Sequence, residues 1–294
     1  MIAVRRAESE AELEVWTRIR NLVEPDEPTT LEDLHDNLRR HPEARYWLAA
    51  DGADVGCGFA NFSSVPGRVF VLPRVVPAAR ARGAGAALLD AALAYARELG
   101  GGRARSSVDG VDDASLGFAA RRGFEEVDRQ VELVRPLRPA ETAVVETPSE
   151  IVLEELSADR VPELRELVRR GVEDMPVAGG LDDGFAGELL AEFERSLFRV
   201  VAREAGRPVG VAGLLPYGAR TDALEHAFTT VLRSHRGRGI AQALKAECVR
   251  WGATHGYGEL VTWTQTGNDA MQAVNVAAGF RSGHVSITVE RALP

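Results

Sequence analysis

Arg236, Gly237, Arg238, Gly239, Ile240 and Ala241 bring two positive charges and two glycines to the start of an apolar, helically spaced run. Ile240, Ala243, Leu244, Cys248 and Trp251 recur at the interval of one helix face, and Gly256 stands where that helix would end. The first N–H groups of a helix have no partner within it, and the positive end of the helix dipole backs them. Glycine lets a ligand oxygen approach the backbone without meeting a Cβ. A turn of this composition suits a diphosphate. The spacing matches neither the Gly-Lys-Ser/Thr ending of a P-loop nor the Gly-x-Gly-x-x-Gly of dinucleotide folds.

A looser version appears at Arg80, Arg82, Gly83 and Gly85, 156 positions upstream when Arg80 is set on Arg236. Gly123-Phe124 and Gly279-Phe280 are separated by the same 156 positions. Two matches at one offset mark an internal repeat. Tyr46 to Ala60 and Phe198 to Gly213 each read as strand, polar turn, strand. Each half then reads as helix, hairpin, third strand (68–76; 224–232), helix, strand, helix, strand. Pro136, Pro139 and Pro148 suggest domains at 1–137 and 151–294, joined by a linker at 138–150, within which "TAVVET" could form a short strand.

The pattern Arg-x-x-Gly-x-Gly/Ala resembles that of the GCN5-related N-acetyltransferases (GNAT). Val231 and Val76, five and four residues before their arginines, fit the end of the family's fourth strand. Asn268, a short helical run and then Gly279-Phe280 fit its later motif. The resemblance implies an α/β (α+β) fold of two tandem domains, each a mixed, mostly antiparallel sheet flanked by helices. It implies acetyl-CoA as co-substrate and no metal, the diphosphate lying on the backbone amides of the second-half turn, with Val76, Arg82, Gly83 and Gly85 of the first-half turn as further candidate cofactor contacts. Thr229 and Val231 would then line the path of the acyl end. In the first half, Asp112 stands where Asn268 stands in the second, and a carboxylate would repel phosphate.

Acetyl transfer to an amine needs a base, donors for the oxyanion, and an exit for the thiolate. Glu225, eleven residues before Arg236, occupies the position where histone-type members carry their base. On a regular strand it shares a face with Ala227, Thr229 and Val231. It would lie about 13 Å from Thr229, so a water or a bulge must close the gap. His226 is the competing base, because a one-residue slip in register would exchange the two. Val69 stands at the position of Glu225 in the first half, which points to catalysis in the second half and a scaffold role for the first.

The family's acid is a tyrosine four residues before the Gly-Phe. Here Asn275 and Ala119 occupy those positions. Asn275 can hydrogen-bond but has no proton to give, although a thiol of pKa near 8.5 leaves tolerably as thiolate. Tyr217 and Tyr257 are alternative acids that nothing in the sequence positions. Asn268 reads as a helix cap or a cofactor contact, Trp263 as core beneath the splayed strands, and His235 as added charge near phosphate.

Composition limits the alternatives. A net charge of −9 and a pI near 5.3 argue against nucleic acid as partner. No apolar run is long enough for a bilayer, and the opening stretch lacks a signal peptide's apolar core, so a cytoplasmic protein is expected. Cys57 and Cys248 stand apart without histidine clusters, which offers no zinc site. The expectation is direct acetyl transfer, in a ternary complex, to a primary amine of a small molecule or peptide. The alternative is a CoA- or acyl-CoA-binding protein that catalyses nothing. Oligomeric state is not readable.

Overall fold

Ser9 accepts a hydrogen bond from the Glu12 N–H, and the Glu12 carboxylate accepts one from the Ser9 N–H at 3.1 Å. This reciprocal cap starts α1 (Glu10–Val23), whose Leu13, Trp16 and Ile19 are buried. Thr30 and Asp33 repeat the device at α2 (Leu31–Arg40). The computed structural model describes residues 1–139, 146–175, 177, 180–181 and 184–294. Most of the candidate strand "TAVVET" lies outside the described residues.

Two compact units form: 1–127 with 287–294, and 128–286. In the first, β1 (Ala3–Arg6), β2 (Arg45–Asp51), β3 (Ala53–Phe62) and β4 (Arg68–Val75) are successive antiparallel neighbours. β4 then pairs in parallel with β5 (Arg103–Asp109). α3 (Ala84–Glu98) crosses between them, and α4 (Asp113–Arg121) follows β5. β6 (Glu125–Pro136) leaves this unit after Val127.

The second unit opens with that same strand, followed by β7 (Ile151–Glu155), α5 (Arg165–Glu173), α6 (Phe185–Arg195), β8 (Phe198–Glu204) and β9 (Arg207–Tyr217). β10 (Arg220–His226) and β11 (Thr230–Val231) both pair with β9. α7 (Ile240–Thr254), β12 (Glu259–Gln265), α8 (Asp269–Ala277) and β13 (Arg281–Ala292) complete the chain. β10 and β12 run parallel, and the other strand pairs of this unit with a described register are antiparallel. α7 packs on one face of β8 and β9, where Phe198, Leu244 and Cys248 share a core. α5 and α6 cover the other, where Leu164, Phe193 and Val211 are buried.

The units do not follow the sequence repeat. β6, the last strand of the first repeat, pairs antiparallel with β12 from Gln130↔Gln265 to Pro136↔Glu259. The end of β13, the last strand of the second repeat, belongs to the first unit. There Glu290, 3% exposed, pairs with Arg103 at 2.8 Å and Arg105 at 3.1 Å. Both cysteines are fully buried, and burial pushes each thiol up to about 12. Among the described residues no helix is long and apolar enough to cross a membrane.

Candidate active site

The third strand of the second repeat, expected over 224–232, is interrupted. Residues 227–229 leave the strand conformation between β10 and β11. Four steps along this strand, His226 to Thr230, run beside only three along β9, Leu214 to Val211. That is a β-bulge, and it reverses which face later residues take. Leu224 packs toward α7, so Glu225 points to the opposite face and His226 back toward α7. Beyond the bulge Val231 lies on the α7 side, with Ile240 and Leu244. Glu225 and Val231 therefore do not share a face, as regular alternation would have required.

The bulge also frees backbone groups. Ala227 N–H donates to Gly213, but the N–H groups of Phe228 and Thr229 have no partner among the described residues. Leu232 N–H donates to Val209, so alternation turns the Val231 N–H away from β9. The parallel register of β10 and β12 runs only from Ala223↔Glu259 to Glu225↔Val261. Past it the strands diverge, and Thr262 Oγ1 donates to the His226 carbonyl at 3.1 Å near the apex.

Gly237 and Gly239 adopt left-handed φ of +74° and +82°, which lets the chain turn sharply into α7. The N–H groups of Gly237, Arg238 and Gly239 have no partner among the described residues, and the first helical bond after them is Ala243 to Gly239. The two arginines are engaged elsewhere. Arg236 Nε donates to the Val231 carbonyl at 3.0 Å and its Nη2 pairs with Asp174. Arg238 pairs with Glu204 at 2.7 Å and Glu150 at 3.2 Å, and His235 also meets Glu204, at 3.0 Å. Anion-binding capacity at this turn thus rests on its backbone.

A cavity of about 630 Å³ connects turn and bulge. Arg236, Gly237, Gly239, Ile240 and Ala241 line one end, and Glu225, Thr229, Val231, Asn268 and Asn275 line the rest. Arg238 is not among its lining residues. Asn268 caps α8, its Oδ1 accepting from Met271 N–H at 3.3 Å. Asn275 is fully buried and donates to Thr264 Oγ1 at 2.9 Å, while its Oδ1 has no partner. Trp263, expected in the core, is half-buried and lines the cavity. Tyr217 donates to Glu132 at 3.2 Å and Tyr257 stacks on Trp251, and neither lines the cavity.

Lys245 escaped the sequence reading. It is 1% exposed and lines the same cavity, 3.4 Å from His226 Nδ1. Burial holds its ammonium down to about 8. Burial, then the nearby Lys245, holds the buried His226 ring well below its ordinary value. The available signal was Leu89, the residue at the matching position of the first repeat.

The first repeat keeps a turn of the same kind, with different residues at the other candidate positions. Gly83 caps α3 at φ +98°, and Ala81 holds φ +62° where the second repeat has Gly237. Arg82 is exposed, and Val76 N–H donates to Val55. A Cβ at Gly85 would meet Val75 at 3.6 Å and the Phe118 ring at 3.9 Å. Asp112 caps α4 and pairs with Arg80 at 3.3 Å, and Val69 is fully buried.

The Acetyltransferase (GNAT) family matches this chain twice, at residues 10–124 and 164–280. The chain belongs to the GNAT acetyltransferase family. A mycothiol acetyltransferase of Clavibacter michiganensis subsp. michiganensis is 28% identical over 223 residues, 74% of this chain and 71% of its own length. The tandem GNAT protein of the clavulanic acid biosynthesis pathway superposes with a TM-score of 0.81 at 18% identity, covering 100% of this chain and 99% of its own. A GCN5-related N-acetyltransferase from Sphaerobacter thermophilus gives 0.76 at 16% identity, covering 99% and 96%. The fold is therefore that of two GNAT domains in tandem. GNAT enzymes use acetyl-CoA as co-substrate. The unpartnered amides, the two glycines without a Cβ and the orphaned Asn275 Oδ1 fit a long, phosphorylated, amide-bearing thioester.

Proposed function

We propose that this GNAT protein transfers an acetyl group from acetyl-CoA to a primary amine of a small molecule or peptide, by direct attack in a ternary complex. One observation carries the reading: a single cavity joins the glycine turn before α7 to the opened strands at the bulge. Acetyl-CoA supplies the activated acyl group. The amides of Gly237, Arg238, Gly239, Ile240 and Ala241 bind its diphosphate. The Val231 N–H and the Asn275 Oδ1 orient the pantetheine arm through its amides. The Thr229 N–H polarises the thioester carbonyl and holds the developing oxyanion.

Glu225, on the face away from α7, takes the proton of the incoming ammonium. His226 is the weaker candidate, being 2% exposed and on the α7 face with Lys245. Asn268 keeps α8, and with it Asn275, at the cavity. Val76, Arg82, Gly83 and Gly85 belong to a turn retained for structure, because Asp112, paired with Arg80 at 3.3 Å, sets a carboxylate beside it. Incubating the full chain with acetyl-CoA and a panel of primary amines, and following CoA release, tests the reading. Release with at least one amine is expected. CoA binding without release from any amine would support the non-catalytic alternative.

A further inference from the structure

Four polar side chains gather under the diverging strands on the α7 side: His226, Lys245, Thr264 and Asn275. Lys245 Nζ and Thr229 Oγ1 each approach His226 Nδ1 at 3.4 Å, and all three side chains line the cavity at the bulge. The Phe280 ring centre lies 5.4 Å from Nζ, which favours the charged amine. No carboxylate faces it among the described residues. From α7 itself Cys248 stands near, and its buried thiol stays neutral. The elements packed on α7 from β8, β9, β11, β12 and α8 bring no other charged group to bear on it. A buried cation beside a cavity, without a counter-charge, is complementary to an anion that forms there.

Acyl transfer from a thioester makes such an anion. We propose that Lys245 stabilises the departing CoA thiolate and protonates it. The inference rests on the acetyl-CoA reading above. The acceptor nitrogen forms its bond to the carbonyl carbon, and the carbon–sulfur bond breaks with its electron pair left on sulfur. Nζ gives its proton to that sulfur and becomes a neutral amine. Glu225 passes to solvent the ammonium proton it takes before attack and then accepts the second proton, lost by the nitrogen as the amide forms, and solvent returns one to Lys245 between turnovers. Asn275 has no proton for this step. His226 is held neutral at pH 7, which leaves Lys245 as the protonated side chain lining this part of the cavity.

The test titrates the thiol of CoA bound to the full-length protein, by thiolate absorbance, after calorimetry has established occupancy. Lys245→Met and Lys245→Leu are compared with wild type. Leucine is what the first repeat carries there, and both variants remove the charge while keeping a side chain suited to burial. The thiol should titrate about 1 to 3 pH units higher in either variant than in wild type, with CoA still bound. Lys245→Arg, which keeps a cation, should restore a low value. Identical titration in wild type and Lys245→Met would overturn the inference and leave the acetyltransferase reading standing. Failure of the wild type to bind CoA would overturn both.

Discussion

Glu225 and Lys245 face opposite sides of one sheet, and each makes its own prediction. Glu225→Gln should lower kcat by about 10²- to 10⁴-fold, the usual contribution of a positioned base. CoA affinity, read by calorimetry, should not change, because Glu225 stands apart from the turn. A variant with wild-type turnover across pH would remove Glu225 from the base role. Lys245 carries a stability signature as well. Its folded value of about 8 lies below the ordinary 10.5, so between those pH values the unfolded chain binds more protons. Stability contributed by this site should rise with pH across that window, and at neutral pH the charge should cost about 2–4 kcal/mol. Lys245→Met should therefore unfold at higher denaturant at pH 7 and lose the rise between 8 and 10.5. His226 adds an acid limb: its folded ring resists protonation, so stability should fall as pH drops below 6.5. The sequence could not announce Lys245, since one lysine beside an apolar helical stripe reads as a solvated neighbour.

The turn before α7 was readable because its backbone demands a residue signature. Two left-handed positions call for glycine, and both are filled by it. Gly239→Val should weaken CoA binding by about 1.4 kcal/mol, tenfold, or more, since a branched side chain enters the phosphate approach and strains φ. The first repeat provides a converse. Ala81 holds φ +62° at a cost of about 1–2 kcal/mol. Ala81→Gly should gain about 0.5–1 kcal/mol by denaturant titration, after the added freedom of the unfolded chain is subtracted. A loss of stability would mean the local backbone is not under strain. The bulge left no comparable mark. Ala227, Phe228 and Thr229 suit a regular strand, and the extra residue is visible only against the count along β9. That is why Glu225 could be named from its spacing while its face could not.

At the scale of the molecule, the repeat was legible as an offset of 156, but the trade of final strands was not. β6 and β13 carry similar half-buried strand patterns, and nothing local in either dictates which β-edge it joins. The trade has a consequence. A chain cut to 151–294 exposes the β12 edge, which pairs with β6 from Glu259 to Gln265, and removes Leu133 and Leu137 from the core. Such a fragment should aggregate or lack a cooperative unfolding transition, and a sharp transition matching the intact protein's would contradict the dependence of β12 on β6. At this scale, too, one of two similar turns is expected to grip the cofactor. Calorimetric titration of the full-length chain with CoA tests it most directly. One site per chain is expected, weakened at least tenfold in Gly239→Val. Two sites, or one site that Gly239→Val leaves at wild-type affinity, would contradict it.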